Sequence, residues 1–252
     1  MPKPLFDRPI AHRGLHDAKL GVIENSRSAF EAAIAGGYGI ECDVQLSSDA
    51  EPFIFHDDDL DRLTAMQGSS GSLPIAEVTA LKLAGSSTED TPQRLDDFLR
   101  QVAGRTMLQI ELKRQPDAQR TATLAFAVAD ALKGYQGPYT LESFDPKLIV
   151  ELRRAGVTAP IGIITYGYDE KTWDQDLGYL TVFGLRHLLH WPWTKFDFIS
   201  CRDSSLALPA VRFFRARDMP VTSWTIKSPE AARDALRGAD QIVFEGFEPQ
   251  GA

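Results

Sequence analysis

Residues 41–43 read Glu-Cys-Asp, and residues 110–113 read Ile-Glu-Leu-Lys. Side chains on an extended strand alternate faces, so Glu41 and Asp43 share one face while Cys42 takes the other. By the same rule Glu111 and Lys113 share a face. Three carboxylates gathered at one place repel each other unless a cation sits among them. Hard oxygen donors suit Mg²⁺ or Ca²⁺, with water or substrate oxygens completing the coordination. His12 and Arg13 end another apolar run, Pro-Ile-Ala-His-Arg-Gly, and His56 ends Pro-Phe-Ile-Phe-His. Imidazoles supply an acid and a base near neutral pH, and Arg13 and Lys113 can hold phosphate oxygens. Two histidines, two cations and an acidic metal cluster together describe phosphoryl chemistry.

Such a site needs strands that end at a common place. Short β-rich runs occur near 9–12, 39–44, 106–112, 138–143, 160–164, 196–200, 220–225 and 240–244. Helical patterns lie between most of them, at 25–36, 93–103, 117–133, 145–155, 205–217 and 228–237, with a weaker one at 171–189. Asp145-Pro146 and Ser228-Pro229 read as a cap followed by a first-turn proline. Strands alternating with helices imply parallel strands joined by crossovers. Eight such units in 252 residues fit an α/β chain folded as a (β/α)₈ TIM barrel. An open doubly wound sheet fits less well, because no glycine-rich turn follows the first strand. The C-terminal ends of barrel strands meet at one mouth, where the chemistry is expected.

Residues 52–56 are one β-like run too many for the barrel. Only five residues separate them from the strand carrying Glu41 and Asp43, too few for a parallel crossover, so the connection is a hairpin. A turn centred on Ser48 and Asp49 places Asp43 opposite Ile54 and Glu41 opposite His56. The stretch 57–92 is too long for a simple loop and reads as a small insertion after the second strand, with one helix in Pro-Ile-Ala-Glu-Val. The expectation is one domain over 1–252 that contains this insertion.

Bulk properties narrow the partners. A formal charge of −8 disfavours nucleic acid and anionic membranes as main partners. Cys42 and Cys201 form no disulfide framework and have no metal-ligand spacing. The N-terminal run has no apolar signal core, and no stretch approaches the ~18 apolar residues of a membrane span, so a cytoplasmic location is expected without stable membrane association. A homo-oligomer is compatible with all of this.

The chain resembles the glycerophosphodiester phosphodiesterases, of the barrel superfamily that includes phosphatidylinositol-specific phospholipase C. The matching stretches are AHRG at 11–14, IENSRSAFEAAIAGG at 23–37, IECDVQLSSD at 40–49, IFHDDDLDRLT at 54–64, TPQRLDDFL at 91–99, IELK at 110–113, SFD at 143–145 and SWTIK at 223–227. The resemblance implies metal-dependent hydrolysis of glycerophosphodiesters to glycerol 3-phosphate and an alcohol. It makes His12 and His56 the catalytic pair, Glu41, Asp43 and Glu111 the metal ligands, and Arg13 and Lys113 the phosphate-binding cations. Trp224 matches the aromatic residue near the glycerol. It also implies attack by the glycerol 2-hydroxyl, giving a cyclic phosphate that water then opens. The order in which the histidines act is left open.

Three departures from the family pattern bear on the leaving group and the glycerol. Ile23 replaces a usual proline before Glu24 and Asn25, Lys227 replaces an asparagine, and Phe244-Glu245 replaces a Thr-Asp pair. A lysophospholipase D-like or phospholipase-like activity is the alternative enzyme, to be marked by exposed aromatics at the mouth. A phosphodiester-binding barrel without turnover is the non-enzyme alternative. Lys227 reads as an exposed helix-start residue, Trp191 and Trp193 as loop packing, and one of Asp57–Asp59 as a partner of His56.

Overall fold

A computed structural model describes residues 5–169 and 177–249. The parallel strands are β1 (Ile10–Ala11), β2 (Gly39–Leu46), β4 (Leu108–Leu112), β5 (Tyr139–Ser143), β6 (Ile161–Thr165), β7 (Phe198–Arg202), β8 (Val221–Ile226) and β9 (Gln241–Phe244). They pair in that order, and β1 pairs with both β2 and β9, which closes the barrel. The strand–helix alternation is therefore a (β/α)₈ barrel, as the sequence implies.

Helices between the strands start where the caps predict. Ser26 Oγ accepts from the Ala29 amide at 3.2 Å and opens α1 (Arg27–Ala35). The helices α2 (Ile75–Val78), α3 (Leu95–Val102) and α4 (Ala118–Ala131) follow. Asp145, before Pro146, accepts from the Lys147 amide at 2.9 Å at the start of α5 (Pro146–Arg154). Each such cap stabilises its helix by about 1 kcal/mol. The weak pattern at 171–189 falls partly outside the described residues. Within them it gives α6 (Tyr179–Arg186), followed by the short α7 (Trp191–Thr194). The helices α8 (Pro209–Arg215) and α9 (Pro229–Ala235) complete the ring, Ser228 capping the latter through the Ala231 amide at 3.1 Å.

The outward strand residues, such as Ile40, Cys42, Val44, Ile110, Leu112 and Leu141, pack against the helix ring in the main core. Inside the barrel's N-terminal end, Phe6, Ile10, Met107, Phe198 and Val243 form a separate apolar plug. A Cβ on Gly162 would lie 2.4 Å from the Phe198 ring, so the glycine makes room for that plug. With the lower barrel filled by hydrocarbon, inward polar groups can only gather at the C-terminal end.

The ninth strand, β3 (Pro52–Ile54), pairs antiparallel with β2, so the hairpin exists. Its register differs from the expected one by one residue: Val44, not Asp43, lies opposite Ile54. The loop contains Ser48, Asp49 and Ala50, the Ser47 amide donating to the Glu51 carbonyl at 3.0 Å. Ala50 has φ of 66°, the left-handed residue that ends a three-residue hairpin loop. Asp49 Oδ1 holds this conformation by accepting from Ser47 Oγ at 2.6 Å and from the Ile75 amide at 2.9 Å. The β3 register ends at Ile54, with a last backbone bond from the Phe55 amide to the Asp43 carbonyl at 3.0 Å, so His56 lies just beyond the ladder rather than opposite Glu41. Alternate residues of β3 face different cores. Ile54 joins the main one, while Phe53 and Phe55 join a small one with Leu60, Leu63, Ile75, Val78 and Leu83 from the excursion at 57–92.

Candidate active site

β2 and β4 run in register, with Asp43 beside Glu111 and Glu41 beside Gln109. The pleat turns Glu41, Asp43 and Glu111 inward, where each offers a carboxylate oxygen within 4.8 Å of the others. All three are buried. Burial, and then the neighbouring Asp43 and Glu111 charges, raise the Glu41 carboxyl well above the ordinary range. Burial likewise raises Glu111, although Lys113 opposes it. Asp43 goes the other way. Burial opposes its ionisation, but Lys113, His56 and Arg13 outweigh burial and hold it well below the usual carboxylate range. Acids raised by one another's charge lack sufficient cation, and their hard oxygens suit a divalent ion. The residues fit the metal that the sequence implies.

Two protein cations serve the same cluster. Lys113 Nζ lies 3.0 Å from Asp43 Oδ1 and 2.9 Å from Glu111 Oε1. Its own amide donates to the Val44 carbonyl at 3.0 Å, which fixes the residue just past β4. Arg13 is held from both ends. Its amide donates to Glu41 Oε2 at 2.9 Å, and its guanidinium reaches Glu24 at 2.6 Å and Asp43 at 3.4 Å. Arg13 adopts φ of 55°, and Gly14 after it cannot carry a side chain, because a Cβ would meet the Ala29 backbone at 2.9 Å. Asn25 shares the work: its amide side chain donates to Asp43 Oδ2 at 2.8 Å and orients that carboxylate.

The two histidines stand in similar settings. His12 Nδ1 lies 2.7 Å from Glu245 Oε2, and its Nε2 lies 4.0 Å from Glu41 Oε2. A carboxylate at Nδ1 fixes the proton there and leaves Nε2 as the reactive nitrogen. Burial lowers the His12 pKa from its ordinary value, although the bond to Glu245 opposes this. His56 Nδ1 lies 2.6 Å from Asp57 Oδ1. Arg62 clamps Asp57 at 2.7 Å and also Glu24, so the supports of His56 and Arg13 form one network. Gln45 Nε2 donates to the His56 and Asp57 carbonyls at 3.4 and 3.3 Å, anchoring the hairpin arm to the end of β2.

The remaining expectations divide. Trp224 sits inward at the end of β8, its ring 5.7 Å from that of Phe144. Lys227 is exposed, yet its Nζ lies 2.6 Å from Glu245 Oε1, so it belongs to the His12 network. Trp191 packs against Phe214 and Lys195, as a loop tryptophan does, whereas Trp193 is 64% exposed. Of the three aspartates, Asp57 partners His56 and Asp58 accepts from Gln45.

Sequence reading missed Glu142. It faces inward beside Glu111 on β5, and burial together with the Glu111 and Asp43 charges pushes its carboxyl up to about 8. Its inward direction was available from strand alternation, since it follows the apolar Leu141, which faces the helix ring. Gln45 shares the alternating face of Glu41 and Asp43, but its hold on the His56 and Asp57 carbonyls, like the role of Glu24, is a tertiary contact with no such signal.

Residues 12–244 match the model of the glycerophosphoryl diester phosphodiesterase family. A glycerophosphodiester phosphodiesterase of Bacillus altitudinis is 36% identical over 110 residues, 41% of this chain and 44% of that protein. One from Caldanaerobacter subterraneus is 41% identical over 73 residues, 29% of each chain. The aligned stretches thus span less than half the length of these curated relatives. An Oleispira antarctica phosphodiesterase, solved in complex with the product sn-glycerol-3-phosphate, superposes with TM-score 0.76 at 22% identity, covering 96% of this chain and 94% of that one. A Thermotoga maritima glycerophosphodiester phosphodiesterase gives 0.69 at 23% identity, covering 93% and 92%. These likenesses establish the fold. The match along residues 12–244, which takes in both histidines and all three clustered acids, places the chain in the glycerophosphoryl diester phosphodiesterase family.

Proposed function

We propose that residues 1–252 form one phosphodiesterase domain that hydrolyses glycerophosphodiesters to glycerol 3-phosphate and an alcohol, using Mg²⁺ or Ca²⁺. The observation that carries this reading is the placing of two carboxylate-partnered histidines around one buried acidic cluster. Glu41, Asp43 and Glu111 hold the cation, which when bound neutralises negative charge on the phosphate oxygens.

Arg13 and Lys113 bind the phosphate and set its orientation. One histidine accepts the proton of the glycerol 2-hydroxyl at Nε2 as that oxygen attacks phosphorus. The other protonates the departing alcohol oxygen. Their roles exchange when water opens the cyclic phosphate. Glu245 and Asp57 hold the two imidazoles in the tautomer that leaves Nε2 available. Trp224 packs against the glycerol carbons.

Metal-stripped protein resupplied with Mg²⁺, Ca²⁺ or Mn²⁺ should release glycerol 3-phosphate from glycerophosphocholine or glycerophosphoethanolamine, and chelation should abolish release. Turnover that persists in excess chelator would contradict the metal-dependent mechanism.

A further inference from the structure

Asp43, Glu111 and Glu142 stand abreast on three adjacent strands. The register sets Asp43 of β2 beside Glu111 of β4, and Glu111 beside Glu142 of β5. Leu141 packs against the helix ring, so the pleat turns Glu142 inward with the other two. Glu142 is 3% exposed, and its Oε2 has no hydrogen-bond partner among the described residues. A buried oxygen left in that state costs free energy, unless something in the barrel interior donates to it.

The groups around Glu142 are polar and share the same deficit. Gln109 and Ser200 are its polar neighbours. Gln109 is fully buried, and neither its Oε1 nor its Nε2 has a partner. Thr222 lies beside Ser200 in the β7–β8 register, also fully buried, with its Oγ1 unpartnered. Ile110, Ile199 and Val221 pack outward, so Gln109, Ser200 and Thr222 all face the barrel interior. The apolar plug offers them nothing. A buried water with two to four polar partners can satisfy such groups.

We propose that Glu142 is a fourth carboxyl group of the metal centre, holding the cation through a bridging water that Gln109 shares. The assignment rests on the metal-dependent reading above. Glu41, Asp43 and Glu111 bring oxygens within 4.8 Å of one another, and Glu142 stands outside that group, so its reach to the cation needs an intermediary. A water ligand of the cation presents two O–H donors. Glu142 Oε2 and Gln109 Oε1 are two buried acceptors without donors. The water therefore closes the inner side of the cation's shell and leaves the mouth side to phosphate oxygens.

The test titrates Mn²⁺ calorimetrically into the full chain after chelator has been removed. Glu142→Leu, which keeps the volume and removes both oxygens, should weaken Mn²⁺ binding by about 10–100-fold, the usual cost of losing an outer partner of a metal site. Glu142→Gln retains an acceptor oxygen for the water and should lose clearly less. Unchanged affinity in Glu142→Leu would overturn the assignment and leave the three-acid metal site standing. Equal losses in the two variants would also overturn it, since they would mark a charge effect without a bridging oxygen. A crystal structure of the unsubstituted protein with Mn²⁺ decides the matter if Glu142→Leu does not fold. Density for a water between the ion and Glu142 is the expected result, and its absence contradicts the bridge. No Mn²⁺ binding by the unsubstituted protein would sink the metal-dependent reading as well.

Discussion

His12 and Glu245 stand 233 positions apart in sequence, yet their side chains meet at 2.7 Å across the seam where β9 closes on β1. The barrel's closure therefore assembles the histidine–carboxylate pair. The hydrogen bond from His12, with His16 at 3.8 Å and Lys227 at 2.6 Å close by, holds the Glu245 carboxyl well below its ordinary range and keeps it anionic.

Replacing Glu245 with Gln should then lower kcat by about 10–100-fold, short of the full general acid–base contribution of about 10²–10⁴, because the imidazole remains but its tautomer is free. Lys227→Ala removes only an exposed partner of Glu245 and should cost much less. Steady-state kinetics of the two variants on glycerophosphocholine check this. Equal losses would mean that Lys227 acts on substrate rather than through Glu245.

Glu142 yields a prediction about stability. Its carboxyl titrates near 8 in the folded chain, against 4.5 for the ordinary group, so between those values the folded state holds a proton that the unfolded state has lost. Stability of the metal-free protein should therefore fall as pH rises from about 5 to 8. Glu142→Gln removes this loss. Thermal unfolding in chelator should give similar Tm for both proteins at pH 5 and a higher Tm for the variant at pH 8. A difference of the opposite sign would contradict the buried, protonated acid.

The hairpin register rests on Ala50 at φ of 66°. A left-handed conformation costs an L-residue roughly 1–2 kcal/mol, and glycine gives back part of that gain as lost chain entropy. Ala50→Gly should stabilise the protein by about 0.5 kcal/mol or more, read from urea unfolding. Destabilisation would favour the two-residue turn.

Much of the site was legible because strand periodicity is local. Alternation alone put Glu41 and Asp43 on one face and Glu111 and Lys113 on one face, and the short Ser-Ser-Asp-Ala-Glu link required β3 to return antiparallel. The register was not legible to one residue. It depends on Asp49 capturing the Ile75 amide from the distant excursion. The Glu24–Arg62–Asp57 network was hidden for the same reason, since Glu24 and Arg62 lie 38 positions apart and meet at 2.7 Å only in the folded chain. Lys227 read as a solvated charge, and its 70% exposure agrees, but exposure did not preclude its pairing with Glu245.

In the proposed mechanism the hairpin arm delivers His56, as a catalytic histidine, to the phosphodiester beside the acidic cluster. The most direct measurement is kcat of His56→Ala for glycerol 3-phosphate release from glycerophosphocholine, with metal affinity measured calorimetrically on the same preparation. kcat should fall by at least about 10²-fold with metal affinity retained. Full activity in that variant would contradict it.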